Sequence, residues 1–356
     1  MMLKDILNTL LAIPSPTFHE KDKVNVIKGF LEEHCNADNI IIDDDNLIYH
    51  KVVDKNHPTI ALVGHSDVVP KHVKPYLKNN HLYGAGASDM QAGLAAFLSV
   101  LQQIEDKLAY NIVLIVYARE EGTPLTKNGL ASVIRSYPDL MKSIDCAIVG
   151  EPTDNTIQLG CLGSCHATIT VLGQEAHSAR PWNGENALYK ALPIIQKLQD
   201  YQATKVTVQG LDFQEVMVIT ECDVSPGRTS IPGHCTFNIN YRFGPDKTSE
   251  IAFNHIKEVV ESCQVIDVTC TLVDSVFAGK IIQSDFQNQL INQINMPIQA
   301  KQAWTDVAQL AEAGIPCFNF GPGLQAQAHK DNEYVDLSDC DKYEQLLYKI
   351  LKKEGD

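Results

Sequence analysis

Three short apolar runs, each followed at once by a loop of histidine or acidic residues, constrain this chain more than any other feature. They fall at 59–63, 112–117 and 146–149 and carry too few polar residues for a half-exposed strand. Runs of this kind read as strands buried on both faces, the signature of a parallel sheet covered by helices. Helical stretches separate them, at 90–101 and 130–136, so strand and helix alternate as an α/β fold requires. Ahead of them, Leu3, Ile6, Leu7, Leu10 and Leu11 share one helical face that ends at Pro14-Ser15-Pro16, and 21–33 reads as a second helix.

From about Gly163 the pattern changes. Segments 167–172, 205–209, 216–220, 235–242 and 268–272 read as strands, many with a period of two, and helices at 186–199 and 248–263 intervene. Near Phe277 the first style returns, with a further strand at 317–320. The expectation is a discontinuous α/β domain with a mostly parallel sheet, 1–163 and 277–356, interrupted by an inserted α+β domain, 164–276. The length of 356 residues accommodates two domains.

The loops after the three buried runs are Gly64-His65-Ser66-Asp67, Arg119-Glu120-Glu121-Gly122 and Gly150-Glu151-Pro152-Thr153. In open α/β sheets, ligands bind beyond the carboxyl ends of the strands, so these loops should meet in one crevice. Asp89 precedes a helix, where it could equally be a simple cap, and His329 follows the 317–320 strand and a Gly/Pro loop. Two imidazoles with several carboxylates and no thiolate arrangement suit zinc, or cobalt or manganese in its place. The acids outnumber what one tetrahedral ion needs, which points to a pair of ions sharing a bridging carboxylate. Glu120, beside the candidate ligand Glu121, is placed to act as a general base. Asp67 is placed to orient His65.

Composition narrows the partners. Lys and Arg total 29 against 44 Asp and Glu, a net charge of −15, which argues against nucleic acid or anionic lipid as a main partner. No apolar run approaches the ~20 residues of a membrane span, and the first thirteen residues, with Asp5 among them, make a poor secretory signal. Ten scattered cysteines without a C-x-x-C pair read as reduced thiols of a cytoplasmic protein. Gly84 and Gly86 suggest a dinucleotide loop, but the third glycine of that motif is replaced by Asp89.

The pieces GHSDVVP (64–70), GAGASDMQAG (84–93), EEG (120–122), GEPT (150–153), HSARP (177–181) and AHKDNE (328–333) resemble, in order, those of the M20 metallopeptidase family of di-zinc amidohydrolases. The stretch AWTDVAQLAEAGIPCFNFGPG (303–323) is most similar to the family's succinyl-diaminopimelate desuccinylases. The resemblance implies two zinc ions per subunit. His65 and Glu151 would hold one, Glu121 and His329 the other, and Asp89 would bridge them. It implies Glu120 as the base that activates water, Asp67 as support for His65, and a cis peptide after Asp89. It further implies a ferredoxin-like inserted domain that serves as lid and dimerisation surface, with His177 reaching a neighbouring subunit's site to stabilise the oxyanion. The expected substrate is a small anionic N-acyl amino acid, N-succinyl-diaminopimelate first. An acetylornithine deacetylase, an aminoacylase, a carboxypeptidase and an inactive metal-binding scaffold are the alternatives. Ala85, Gln91 and Thr229 stand where many members carry arginine, lysine and asparagine.

Only five arginines occur, and three of them, Arg180, Arg228 and Arg242, fall in the inserted segment. Arginine is the preferred clamp for carboxylate, so these three are the candidates for gripping an anionic substrate.

Overall fold

The computed structural model describes residues 1–35, 40–70, 73–224 and 227–353. The chain divides into two compact units. The first comprises Met1–Leu159, Ile281–Gln299 and Gln309–Asp356, and the second Gly160–Lys280 and Ala300–Ala308.

The first unit is built on a sheet of eight strands in the order Ile40–Asp43, Asn46–Lys51, Asn111–Tyr117, Thr59–His65, Cys146–Val149, Cys317–Asn319, Ile157–Leu159, Ile298–Ala300. The four strands from Asn111–Tyr117 to Cys317–Asn319 are mutually parallel. Every residue of those four is buried, which accounts for their unbroken apolar character. Their registers align His65 with Tyr117, Val63 with Val149, and Val149 with Asn319. All four carboxyl ends therefore finish at one edge, and whatever follows each strand is delivered to that edge. The Asn46–Lys51 strand joins antiparallel to Asn111–Tyr117 and forms a hairpin with Ile40–Asp43, a pair the sequence pattern leaves unassigned.

Helices cover this sheet. Leu3–Ala12 buries Leu3, Ile6, Leu7, Leu10 and Leu11, the face read from the sequence. Lys21–His34 buries Val24, Ile27 and Leu31. Ala92–Ile104 is buried over nearly its whole length. It begins at Ala92 and not at Met90, because Ala87–Gln91 forms an irregular turn in which Asp89 and Met90 leave helical geometry and the peptide between them is cis. A small sheet of Tyr76–Lys78, His81–Tyr83 and Tyr334–Asp336 and the helices Gly129–Ser136, Pro138–Lys142, Asp285–Ile294 and Leu337–Leu351 belong to the same unit.

The second unit carries a five-stranded antiparallel sheet in the order Thr204–Val208, Leu211–Asp223, His234–Phe243, Gly163–Leu172, Val268–Val276. Without the edge strand Thr204–Val208 and the two-residue strands Ala176–His177 and Ser230–Ile231, the elements run β-α-β-β-α-β along the chain, the split βαβ arrangement. Cys165, Ala167, Ile169 and Val171 face Phe237, Ile239, Tyr241 and the helices Ala187–Gln199 and Ser249–Glu261, and alternate positions stay partly exposed. That period-two burial is what one covered sheet face demands. No helix among the described residues is long and apolar enough to cross a membrane.

Candidate metal centre

His65 is the last residue of its strand and is fully buried. Its Nδ1 lies 2.9 Å from the backbone oxygen of Asp67. A carbonyl can only accept, so Nδ1 carries a proton and Nε2 is the nitrogen that faces the crevice. Nε2 lies 3.2 Å from Asp89 Oδ1 and 3.6 Å from Glu151 Oε1. His329, in left-handed backbone at φ 63°, turns its Nε2 to Glu121 Oε2 at 3.0 Å and to Asp89 Oδ2 at 3.6 Å. Two groups result, His65–Asp89–Glu151 and Asp89–Glu121–His329, each with its donor atoms within 4.8 Å of one another and with Asp89 common to both. Glu120 joins His65 and Glu121 in a third such group.

Tight backbone packing brings these segments together. Gly93 and Gly321 both lie against the Gly150 carbonyl, where a built Cβ would come within 2.2 Å of its oxygen. The helix that follows Asp89 and the loop that precedes His329 can therefore approach the strand end carrying Glu151 only as glycine.

Asp67, fully buried, is a hub of hydrogen bonds. Its Oδ1 accepts from the Glu120 amide at 3.0 Å, and its Oδ2 accepts from the Glu121 amide and the Thr17 hydroxyl, each at 3.0 Å. Glu333 does the same for the turn that bears Asp89, accepting from the amides of Gly86, Ser88 and Asp89 at 2.8–2.9 Å. Sequence reasoning does not single out Thr17 or Glu333. Only the position of Glu333 at the end of AHKDNE offers a signal.

The electrostatics of the cluster call for positive charge. Burial alone would lower the His65 pKa, but the Asp67 and Asp89 carboxylates outweigh it and hold the imidazole well above its ordinary range. The hydrogen bond to Glu121 lifts His329 to about 9, against the effect of burial. Burial would raise Asp67, yet its bonds to His65 and to the two amides hold it below the usual carboxylate value. Burial pushes Glu333 up to about 7 despite three amide donors. Either protons or cations must balance so many acids. Imidazole nitrogens and carboxylate oxygens, with His65 braced through its other nitrogen, form a donor set that fits divalent cations of the zinc type.

The other four residues singled out in the sequence lie in the second unit. His177 is exposed, and its Nδ1 accepts from the Ala179 amide at 3.1 Å. Arg180 and Arg228 are exposed. The chain around them is joined by backbone pairing of His177 with Ser230 and by a bond from the Ser178 amide to the Thr229 oxygen. Arg242 is set apart from them on the sheet. It is half-buried, and its Nε donates to Asn240 Oδ1 at 3.0 Å.

The sequence pattern of peptidase family M20/M25/M40 matches residues 61–353, which includes every residue of the metal-donor groups. The chain belongs to that family. It is a metal-dependent hydrolase. Among curated M20 relatives is the succinyl-diaminopimelate desuccinylase of Corynebacterium glutamicum, 30% identical over 353 residues that cover 97% of this chain and 94% of the relative. Two solved structures share the fold over 98% of this chain. A tripeptidase from Staphylococcus aureus has a TM-score of 0.81 at 18% identity, with 97% of that chain covered. A dinuclear metal-binding M20 peptidase from Bacillus subtilis has a TM-score of 0.72 at 15% identity, with 96% covered.

Proposed function

We propose that this M20 hydrolase cleaves the amide bond of N-succinyl-diaminopimelate, releasing succinate and diaminopimelate. The observation that carries the reading is the pair of three-residue donor groups sharing Asp89, in a chain 30% identical along nearly its whole length to a succinyl-diaminopimelate desuccinylase.

His65 and Glu151 would hold one zinc ion and Glu121 and His329 the other, with Asp89 bridging and cobalt or manganese as substitutes. Such a pair of cations polarises the scissile carbonyl and lowers the pKa of water. Glu120 takes the proton of the attacking water and returns it to the departing amine. Asp67 keeps that base aimed, because it binds the Glu120 amide, and its backbone oxygen keeps the adjoining imidazole turned so that Nε2 would be the nitrogen offered to an ion.

The segments 1–163 and 277–356 act as catalytic domain and 164–276 as lid and dimerisation domain. Exposed Trp182, Tyr189 and Leu192, the last two one turn apart on a helix, favour a second copy of the chain as partner. In that homodimer His177 would serve the neighbouring site by stabilising the oxyanion. Arg180, Arg228 and Arg242 would grip substrate carboxylates. Arg242 has the strongest support of the three: Asn240 engages only its Nε, and burial lowers its pKa, so an anionic partner would compensate it. Ten free cysteines favour the reducing cytoplasm.

A screen of the metal-replete protein over N-succinyl and N-acetyl amino acids tests the assignment. N-succinyl-diaminopimelate should be preferred. Preference for N-acetylornithine would overturn the substrate and leave the metal centre intact.

A further inference from the structure

Glu20 lies outside every motif that identifies the family, yet it is fully buried at the start of the Lys21–His34 helix. Its Oε1 accepts from two backbone amides, Phe18 at 2.9 Å and Arg119 at 3.0 Å. Arg119 immediately precedes Glu120 and holds φ at 61°, in the left-handed region that non-glycine residues adopt at a cost. Such a conformation persists only where its surroundings over-determine it. Here the Arg119 amide is caught by Glu20, its Nε donates to the Lys127 oxygen at 2.9 Å, and its Nη2 donates to Asp44 Oδ2 at 2.7 Å.

The amides of residues 120 and 121 are both held by Asp67. The Arg119 carbonyl accepts from the Thr123 hydroxyl, and the Arg119 amide, which reports the torsion about that residue, is the one Glu20 captures. We propose that Glu20 is a positioning residue for Glu120: its buried carboxyl oxygen fixes the left-handed Arg119 backbone and so aims the general base. The inference rests on Glu120 being that base.

One detail makes the role separable from charge. Both bonds go to Oε1, whereas Oε2 is buried without a hydrogen-bond partner among the described residues. An amide side chain offers the same single acceptor. Glu20→Gln should therefore preserve the positioning, and Glu20→Ala should abolish it.

The test compares kcat, KM, bound zinc and Tm for Glu20→Ala, Glu20→Gln, Glu20→Asp and Glu120→Gln in the full zinc-loaded protein. Expected for Glu20→Ala is a fall in kcat of about 10–100-fold with KM within about twofold and both ions retained, because small misplacement of a catalytic group is costly. Glu20→Gln should stay within about threefold of the parent in kcat, since a single acceptor suffices. Glu20→Asp, one methylene too short to reach both amides, should follow the alanine variant and carries the test if that variant does not fold. Parent-like kcat in Glu20→Ala or Glu20→Asp, loss of ions in step with kcat, or a Gln variant as impaired as the Ala variant overturns the proposal. High activity in Glu120→Gln would instead remove the general base on which it rests.

Discussion

Asp89 Oδ1 lies 3.2 Å from His65 Nε2, where the Ala87–Gln91 turn meets the end of a buried strand. The second oxygen of the same carboxylate faces His329 Nε2 at 3.6 Å. One side chain thus joins two imidazoles 264 residues apart in the chain (329 − 65).

That sharing dictates how ion content responds to substitution. His329→Ala should retain one tightly held ion per chain and His65→Ala likewise, since each loses a donor to one group only. Asp89→Ala should lose the second ion and weaken the first. Inductively coupled plasma analysis after dialysis reads the stoichiometry, and two full ions in Asp89→Ala would exclude a bridging role.

Glu120→Gln keeps the shape of the base and removes its proton affinity. Turnover should drop by about 10²–10⁴-fold, the usual contribution of general acid–base catalysis, with ion content unchanged. Near-normal turnover in that variant would refute the assignment.

Proton and cation compete for the same imidazoles. His329 titrates in the metal-free protein at about 9, raised from 6.5 chiefly by its bond to Glu121. A folded-state pKa raised in this way contributes stability that is fully present below 6.5 and is lost as pH rises through about 9. The metal-free protein should therefore lose that contribution across this window, while its affinity for zinc rises over the same window as the imidazole becomes neutral. Calorimetry at pH 7 in buffers of different ionisation enthalpy should register proton release on zinc binding, and its absence would contradict the charge balance described for the cluster.

Gly93→Ala places a methyl 2.2 Å from the Gly150 oxygen, where the neighbour is backbone and cannot rotate away. Overpacking of this kind costs about 1–3 kcal/mol. Tm should fall and zinc affinity should weaken with it, because the displaced strand end carries Glu151. An unchanged Tm would mean that the helix and strand end are less tightly locked than their spacing requires.

Arg242→Ala should raise KM sharply with little change in kcat if the guanidinium grips a substrate carboxylate in the ground and transition states alike. Steady-state kinetics with an unchanged KM would take it out of the substrate site.

Much of this was legible in the chain itself. Apolar runs such as 112–117 announce buried strands, because a segment covered on both faces has no use for polar side chains. The position of His65, Glu121 and Glu151 at or just beyond the ends of those strands points to a common edge, since parallel strands end on the same side. The hairpin Ile40–Asp43 and Asn46–Lys51 escapes notice because its outer strand is partly exposed and keeps no clean alternation. Glu20 and Glu333 escape because their work is to accept backbone amides, and nothing in a side-chain sequence records which amides a distant fold will leave needing an acceptor.

Local order along the chain, then, determined the strands, the helices and the kinds of donor atom available, all of which depend on neighbours a few residues away. Tertiary structure alone decided that the oxygens of one aspartate face two distant histidines, and that a buried glutamate holds the backbone beside Glu120. Those relationships depend on ångström-scale packing between segments such as Gly93 and Gly150, and distances of that kind exist only once the chain has closed on itself.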